Sequence, residues 1–280
     1  MSLFFHQWYS ELLKLFARRR TYIGFGAFVL LQVLIFTLVK KFGLPTQKLI
    51  AGSGENVSYY LSALTLASFV LGASVFLLGA LFLSLVAGDI VAKEGEDGHM
   101  RLLLARPISR FRLLLLKYLT CSAYAVFLIQ FLAWTAFLLG LALHGWGGGY
   151  FAVVPEVSVI AFYDWGPGLQ RYAWISVGIG LSMTTISSIA FFLSCFRIKP
   201  AAATIGALTY ILVDFIIRTG GFMDNYQHLL LTKHMAVWGR LLAENIDWPL
   251  VLRGYTVIAA VNITLFTLGY AVFESRDLKS

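Results

Sequence analysis

From Val57 to Ala87 the chain carries no Asp, Glu, Lys, Arg or His. At about 1.5 Å rise per residue a helix of that length exceeds a hydrocarbon core of about 30 Å. No soluble fold hides so long an uncharged run in water, so the surrounding chain must be arranged for a bilayer. Further apolar runs repeat the pattern and predict six spans, at about Thr21 to Val39, Val57 to Ala87, Leu113 to Leu143, Tyr172 to Phe196, Ala201 to Ile217 and Gly254 to Phe273. The expected fold class is all-α and integral to the membrane. Spans and connections use up the 280 residues, which leaves no soluble catalytic domain of about 100 residues. The net charge of +8 reflects lysine and arginine retained on one side of a membrane rather than nucleic-acid binding.

Before the first span, Phe4, Phe5, Trp8, Leu12, Leu15 and Phe16 share one helical face, with His6, Gln7, Ser10, Glu11, Lys14 and Arg18 opposite. Residues 1–20 therefore read as an amphipathic interfacial helix, its apolar face at the headgroup boundary and Arg18 to Arg20 against anionic lipid. The first apolar run has spanning length and no small-residue cleavage pattern after it, so no cleavable signal is expected. Residues 21–273 form the six-span domain and residues 274–280 a cytoplasmic tail. Span 2 should tilt or project, carrying Gly88 beyond the membrane. Between spans 3 and 4 lies a glycine-rich loop. The two short amphipathic segments between spans 5 and 6, around Tyr226 to Leu231 and His234 to Leu242, read as outer-face surface or re-entrant helices.

With the N-terminus inside, the inner segments carry 14 of the 22 lysines and arginines and the outer ones eight. Both termini are then cytoplasmic. Cys121 and Cys195 fall near inner helix ends, where a reducing compartment disfavours a disulfide.

One polar stretch interrupts the apolar chain, residues 88–112. Asp89, Glu94, Glu96 and Asp97 come first, then a short apolar helix from Met100 to Ala105, then Arg106, Arg110 and Arg112, with Lys117 beyond them. Pro107 biases Arg106 away from helical geometry, and Ser109 can cap the next helix. Lys117 sits near enough to the inner boundary to snorkel. Acids, an apolar knuckle and arginines make a patch that a soluble partner can grip; the blander reading is a solvated loop whose arginines enforce topology.

The stretch Glu94-Gly95-Glu96, Gly98, then Leu103-Leu104-Ala105-Arg106-Pro107-Ile108-Ser109-Arg110 and Lys117, resembles the permeases of ABC-2 type transporters. The ending Phe273-Glu274-Ser275-Arg276-Asp277-Leu278 is similar to theirs. His99 stands where the family commonly has threonine, and Leu116 where it often has glycine. The resemblance implies a coupling helix between spans 2 and 3, docked on separate cytoplasmic ABC ATPase subunits, and a second permease copy or paralogue. It places Glu94, Glu96, Gly98, Arg101, Leu103, Leu104, Arg106, Pro107 and Arg110 on the coupling surface. It also implies residence in the cell inner membrane, and export over uptake.

No Gly-x-x-x-x-Gly-Lys-Ser/Thr loop occurs, so ATP and magnesium belong to the partner and this chain binds no cofactor. The histidines at 6, 99, 144, 228 and 234 show no metal-ligand spacing, although His228 and His234 share one loop. Asp214 is the acid deepest in a span, where insertion costs roughly 2.5 to 3.5 kcal/mol at mid-membrane. It can snorkel or pair with Arg218, and with Ser182 and Thr185 it could line a translocation path. The small and hydroxyl residues of span 4 also serve close helix packing. A secondary transporter would show more charge in its spans and interrupted spans in matching halves. A membrane enzyme would need converging catalytic groups.

Overall fold

In the computed structural model, the residues described are 3–44, 47–96, 109–220 and 224–275. They are mostly helical. Five helices are long and apolar enough to cross a membrane: Arg19–Phe42 (α2, crossing from Thr21), Arg110–His144 (α7), Trp165–Ser194 (α8), Pro200–Thr219 (α9) and Trp248–Glu274 (α11). The chain is a multi-pass membrane protein. The bundle end carrying the N-terminal helix Leu3–Phe16 (α1) is called here the near end, and the opposite one the far end.

The long uncharged run is not one helix. It holds a short turn Val57–Tyr60 (α4, after Gln47–Gly52, α3), a break at Leu61 and Ser62, then Ala63–Ser74 (α5), a π-helical turn Val75–Gly79 and Ala80–Glu96 (α6). The break has a tertiary cause. Leu61 pairs its backbone with Tyr150, and Thr65 Oγ1 accepts the Phe151 N–H at 2.9 Å. At the other end the helix runs past Gly88 to Glu96, with Gly88, Asp89, Ile90, Val91 and Ala92 all buried. The first part of the polar stretch is thus the last turns of a packed helix.

The glycine-rich loop corrects the all-α expectation. Tyr150–Val154 (β1) and Val159–Tyr163 (β2) pair antiparallel, Tyr150 opposite Tyr163 and Val154 opposite Val159. Both strands are β-branched and aromatic, as a pleated surface favours. The turn between them, Pro155–Val157 followed by Ser158 at φ 54°, closes the hairpin.

α8 is the hub of the bundle, packed by α6, α7, α9 and α11. Its small residues allow this: an added Cβ at Gly178 would lie 2.6 Å from the Tyr255 hydroxyl. Between α5 and α7 the approach is closer, since a Cβ at Gly140 would stand 2.7 Å from the Ala63 carbonyl oxygen. Helix starts follow their sequence signals. Ser109 Oγ accepts the Arg112 N–H at 3.3 Å, Pro200 opens α9, and Asp247 Oδ1 accepts the Leu250 N–H at 3.2 Å.

After α9, the 3₁₀ turn Asp224–Leu229 leaves His228 and Leu229 exposed, whereas the second segment is no surface helix. Leu231–Met235 (α10) and the 3₁₀ turn Ala236–Leu242 bury Leu231, Met235, Ala236, Val237, Leu241 and Leu242. They pack against α8, α11 and the β-hairpin. Hydrophobic burial among these elements outweighs the lipid contact expected from an amphipathic pattern.

Candidate functional site

The near end is organised by one lysine. Lys117, two turns into α7, is fully buried and its Nζ lies 2.6 Å from Glu94 Oε1 and 3.3 Å from Glu11 Oε2. It does not snorkel. Two acids on separate elements meet it inside the protein, which compensates a charge that would otherwise be costly to bury. Glu94 ends α6, Lys117 begins α7 and Glu11 belongs to α1, so a single ammonium joins three elements. Burial raises the pKa of the Glu11 carboxyl, but Lys117 and neighbouring Lys14 outweigh it and leave the net value below the ordinary carboxylate range.

This contact also decides where α1 lies. Phe4, Trp8, Leu12 and Phe16 are half-buried and Leu15 is buried, while Leu3, Phe5, Tyr9 and Leu13 are exposed. Part of its apolar face lies against α7: Phe4 under the Arg112 guanidinium at 5.8 Å, and Phe16 5.9 Å from the Tyr124 ring. Thr21 Oγ1, donating to the Leu15 carbonyl at 2.8 Å, fixes the corner into α2.

Of the nine residues assigned to a coupling surface, Glu94, Glu96 and Arg110 are described. Gly98, Arg101, Leu103, Leu104, Arg106 and Pro107, and the short helix expected from Met100 to Ala105, lie outside the described residues. Glu96 is exposed. Glu94 is engaged by Lys117, and Arg110 donates to the Glu274 carbonyl at 2.9 Å, tying the start of α7 to the end of α11.

The three residues considered for a path sit on two helices, Ser182 and Thr185 on α8 and Asp214 on α9. Asp214 Oδ1 and Oδ2 accept the N–H groups of Leu231 and Thr232 at 3.2 and 2.7 Å. The carboxylate is therefore an N-terminal cap for α10, supplied from another helix. Arg218, expected to pair with it, donates to the Thr232 carbonyl at 2.7 Å. Amides left open at the helix start claim the carboxylate and a backbone carbonyl claims the guanidinium, in place of a pair between the two side chains.

Ser182 and Thr185 are fully buried on α8. Elsewhere on α8, Asn262 Nδ2 of α11 donates to Thr184 Oγ1 at 3.0 Å, and the Tyr118 and Ser188 hydroxyls are 3.0 Å apart. Ser182, Thr185 and Tyr255 hydroxyls find no partner of good geometry among the described residues.

Sequence reasoning missed the three-way role of Lys117 and Glu11. The available signal was a lysine two turns inside an apolar helix, with an acid on the polar face of a neighbouring amphipathic one. The ring of His234, one of the two histidines sharing a loop, lies with Nε2 2.9 Å from the His228 carbonyl. No group of three metal-ligating side chains occurs among the described residues.

Residues 9–214 match the sequence family described as ABC-2 family transporter protein. A relative, the uncharacterized protein YhcI of Bacillus subtilis (strain 168), is 26% identical over 221 residues, covering 76% of this chain and 69% of the relative. The family match runs from α1 to Asp214 and so includes the Lys117 junction and the central helix α8. The chain belongs to the ABC-2 family of transporter proteins.

Proposed function

We propose that this chain is the permease subunit of an ABC transporter that works in export, coupled through residues 88–112 to separate cytoplasmic ATPase subunits. The family membership of residues 9–214 carries this reading. The run Ala63–Glu96 counts as a sixth crossing beside the five long helices, because its π turn continues the helical path. Six crossings leave both termini on one side, and the lysine and arginine excess makes that side the cytoplasm. The membrane is the cell inner membrane, and a second permease copy or paralogue completes the assembly.

The near-end geometry supports a mechanical role for the central stretch. Its two flanks, α6 and α7, are pinned together by Glu94 and Lys117. A push delivered between them by a closing ATPase dimer therefore moves both helices and α1 as one body. Glu96, Gly98, Arg101, Leu103, Leu104, Arg106, Pro107 and Arg110 form the surface that receives the push, with Glu94 as its internal anchor. ATP and magnesium stay on the ATPase, and this chain performs no catalysis. Ser182 and Thr185 border the path by which cargo passes, and Asp214 holds the far-end segment beside it.

The test is a mild-detergent purification of the tagged chain from its own cell, with identification of co-purifying proteins and a vanadate-sensitive ATPase assay. A nucleotide-binding partner that is lost on Arg106→Glu or Glu96→Lys, with the permease still inserted, is the expected result. A chain that emerges alone and without ATPase activity under complex-preserving conditions overturns the reading.

A further inference from the structure

Where α1 turns into α2, the near end carries two adjacent arginines. Arg18 is half-buried and Arg19 exposed, and neither guanidinium has an ion pair or a hydrogen bond among the described residues. The acid of α1, Glu11, is already engaged by Lys14 and Lys117. The first turn of α2 holds no acid. Because α2 crosses the membrane from Thr21, both arginines stand at the depth of the lipid headgroups.

The surface beside them is apolar. Tyr22 follows Arg18 and Ile23 follows Arg19 by one helical turn, and their exposure is 65% and 71%. On the same face Gly26 lies between Ile23 and the equally exposed Leu30, and a Cβ added at Gly26 meets nothing within 4 Å. The face therefore has a notch between two large side chains. Leu30 stands about 16 Å along α2 from Arg19 at ~1.5 Å per residue, close to the depth of one leaflet in a core of about 30 Å. α1 leaves a second exposed stripe at Phe5, Tyr9 and Leu13, each four residues from the next. A helix with such a stripe lies in the headgroup boundary, which sets the corner at the lipid–water interface.

We infer that the corner between α1 and α2 binds an anionic phospholipid of the near-end leaflet. Its phosphate meets the Arg18 and Arg19 guanidinium groups, whose planar forks suit phosphate oxygens, and one acyl chain lies in the notch over Gly26 between Ile23 and Leu30. The Tyr22 ring, apolar with a polar tip, stands at the headgroup level. Charge selects the occupant: a zwitterionic lipid offers the same phosphate but brings its own ammonium against two arginines. The site goes beyond the transport reading and does not depend on it, since its readout requires no ATPase.

The experiment uses the full chain in membranes of equal parts phosphatidylglycerol and phosphatidylcholine, photolabelled with a trace of either lipid carrying a diazirine in its acyl chain, followed by peptide mass spectrometry. Adducts on Ile23, Gly26 or Leu30 should form at least about fivefold more from the phosphatidylglycerol probe, since each arginine near the surface is worth about a factor of five for an anionic lipid. Arg18→Gln with Arg19→Gln removes that preference, whereas Arg18→Lys with Arg19→Lys keeps it. Gly26→Leu, which fills the notch, lowers the adducts on Ile23 and Leu30. Labelling at Ile263, exposed on the last helix, is the same for both probes in every variant and reports insertion and general lipid contact. Four results overturn the site: equal labelling of α2 by the two probes, a preference that survives the double glutamine variant, adducts indifferent to Gly26→Leu, or no adduct on this face, as when a second copy covers it.

Discussion

Glu94 and Lys117 form an ion pair of 2.6 Å in which the lysine side chain is wholly buried. The residues close the two flanks of the polar stretch on each other, and Glu11 adds the N-terminal helix to the same ammonium. A charge buried this completely is tolerated only with its counter-ions, so the junction is sensitive to removal of either sign.

Lys117→Met should destabilise the chain by about 3 to 5 kcal/mol, the range for a buried pair broken on one side. Glu94→Gln should cost less, because Glu11 still faces the lysine. Combining Glu94→Gln with Lys117→Met should recover part of the loss. Thermal unfolding in detergent across this double-mutant cycle measures the coupling, and strictly additive losses would show that the pair contributes nothing.

The docking of α1 should depend on pH in one direction. The folded-state pKa of Glu11 is depressed, so its contribution is complete above the ordinary carboxylate value of about 4.3 and is lost as pH falls through the lower folded value. Hydrogen exchange of residues 3–16 should therefore be flat between about pH 5 and 8, with intrinsic rates corrected, and should accelerate at lower pH. Glu11→Gln should weaken the protection and remove the pH step.

Asp214→Ala should loosen the far-end segment without unfolding the bundle. It removes two hydrogen bonds to a charged acceptor, each worth about 1.5 to 3 kcal/mol, and leaves the first amides of α10 unpaired. Faster exchange or new protease cleavage within residues 227–242 is expected, while Asp214→Asn keeps one acceptor and falls between. Unchanged protection in the alanine variant would show that the cap is dispensable.

Two glycine substitutions should have opposite signs. Gly140→Ala places a methyl 2.7 Å from the Ala63 carbonyl oxygen, which must force α5 and α7 apart, at a cost of about 1 to 3 kcal/mol. Gly26→Ala on α2 meets nothing within 4 Å and should gain roughly 0.5 to 1 kcal/mol of helix propensity. Melting temperatures of the two variants check both signs.

The sequence by itself determined that the chain crosses a membrane, because runs such as Thr21 to Val39 and Leu113 to Leu143 have no other solvent. It also fixed the start of α7, through Ser109, and the start of α9, through Pro200, because capping is local chemistry. The family followed from the residues around Glu94 and Lys117 as motif members, before their contact was visible. Only the tertiary structure decided which partners the polar side chains take. Asp214 lies one helical turn from Arg218, yet it bonds to amides 17 and 18 residues away. Lys117 looked free to reach water, yet acids from two other elements reach it first. The hairpin of Tyr150–Val154 and Val159–Tyr163 interrupts the long apolar run at Leu61 because strand pairing supplies a backbone partner from far along the chain. Helix periodicity records which side of a residue is apolar. Whether that side meets lipid or protein depends on the neighbours the fold brings, and for the Leu231 to Leu242 segment it brought protein.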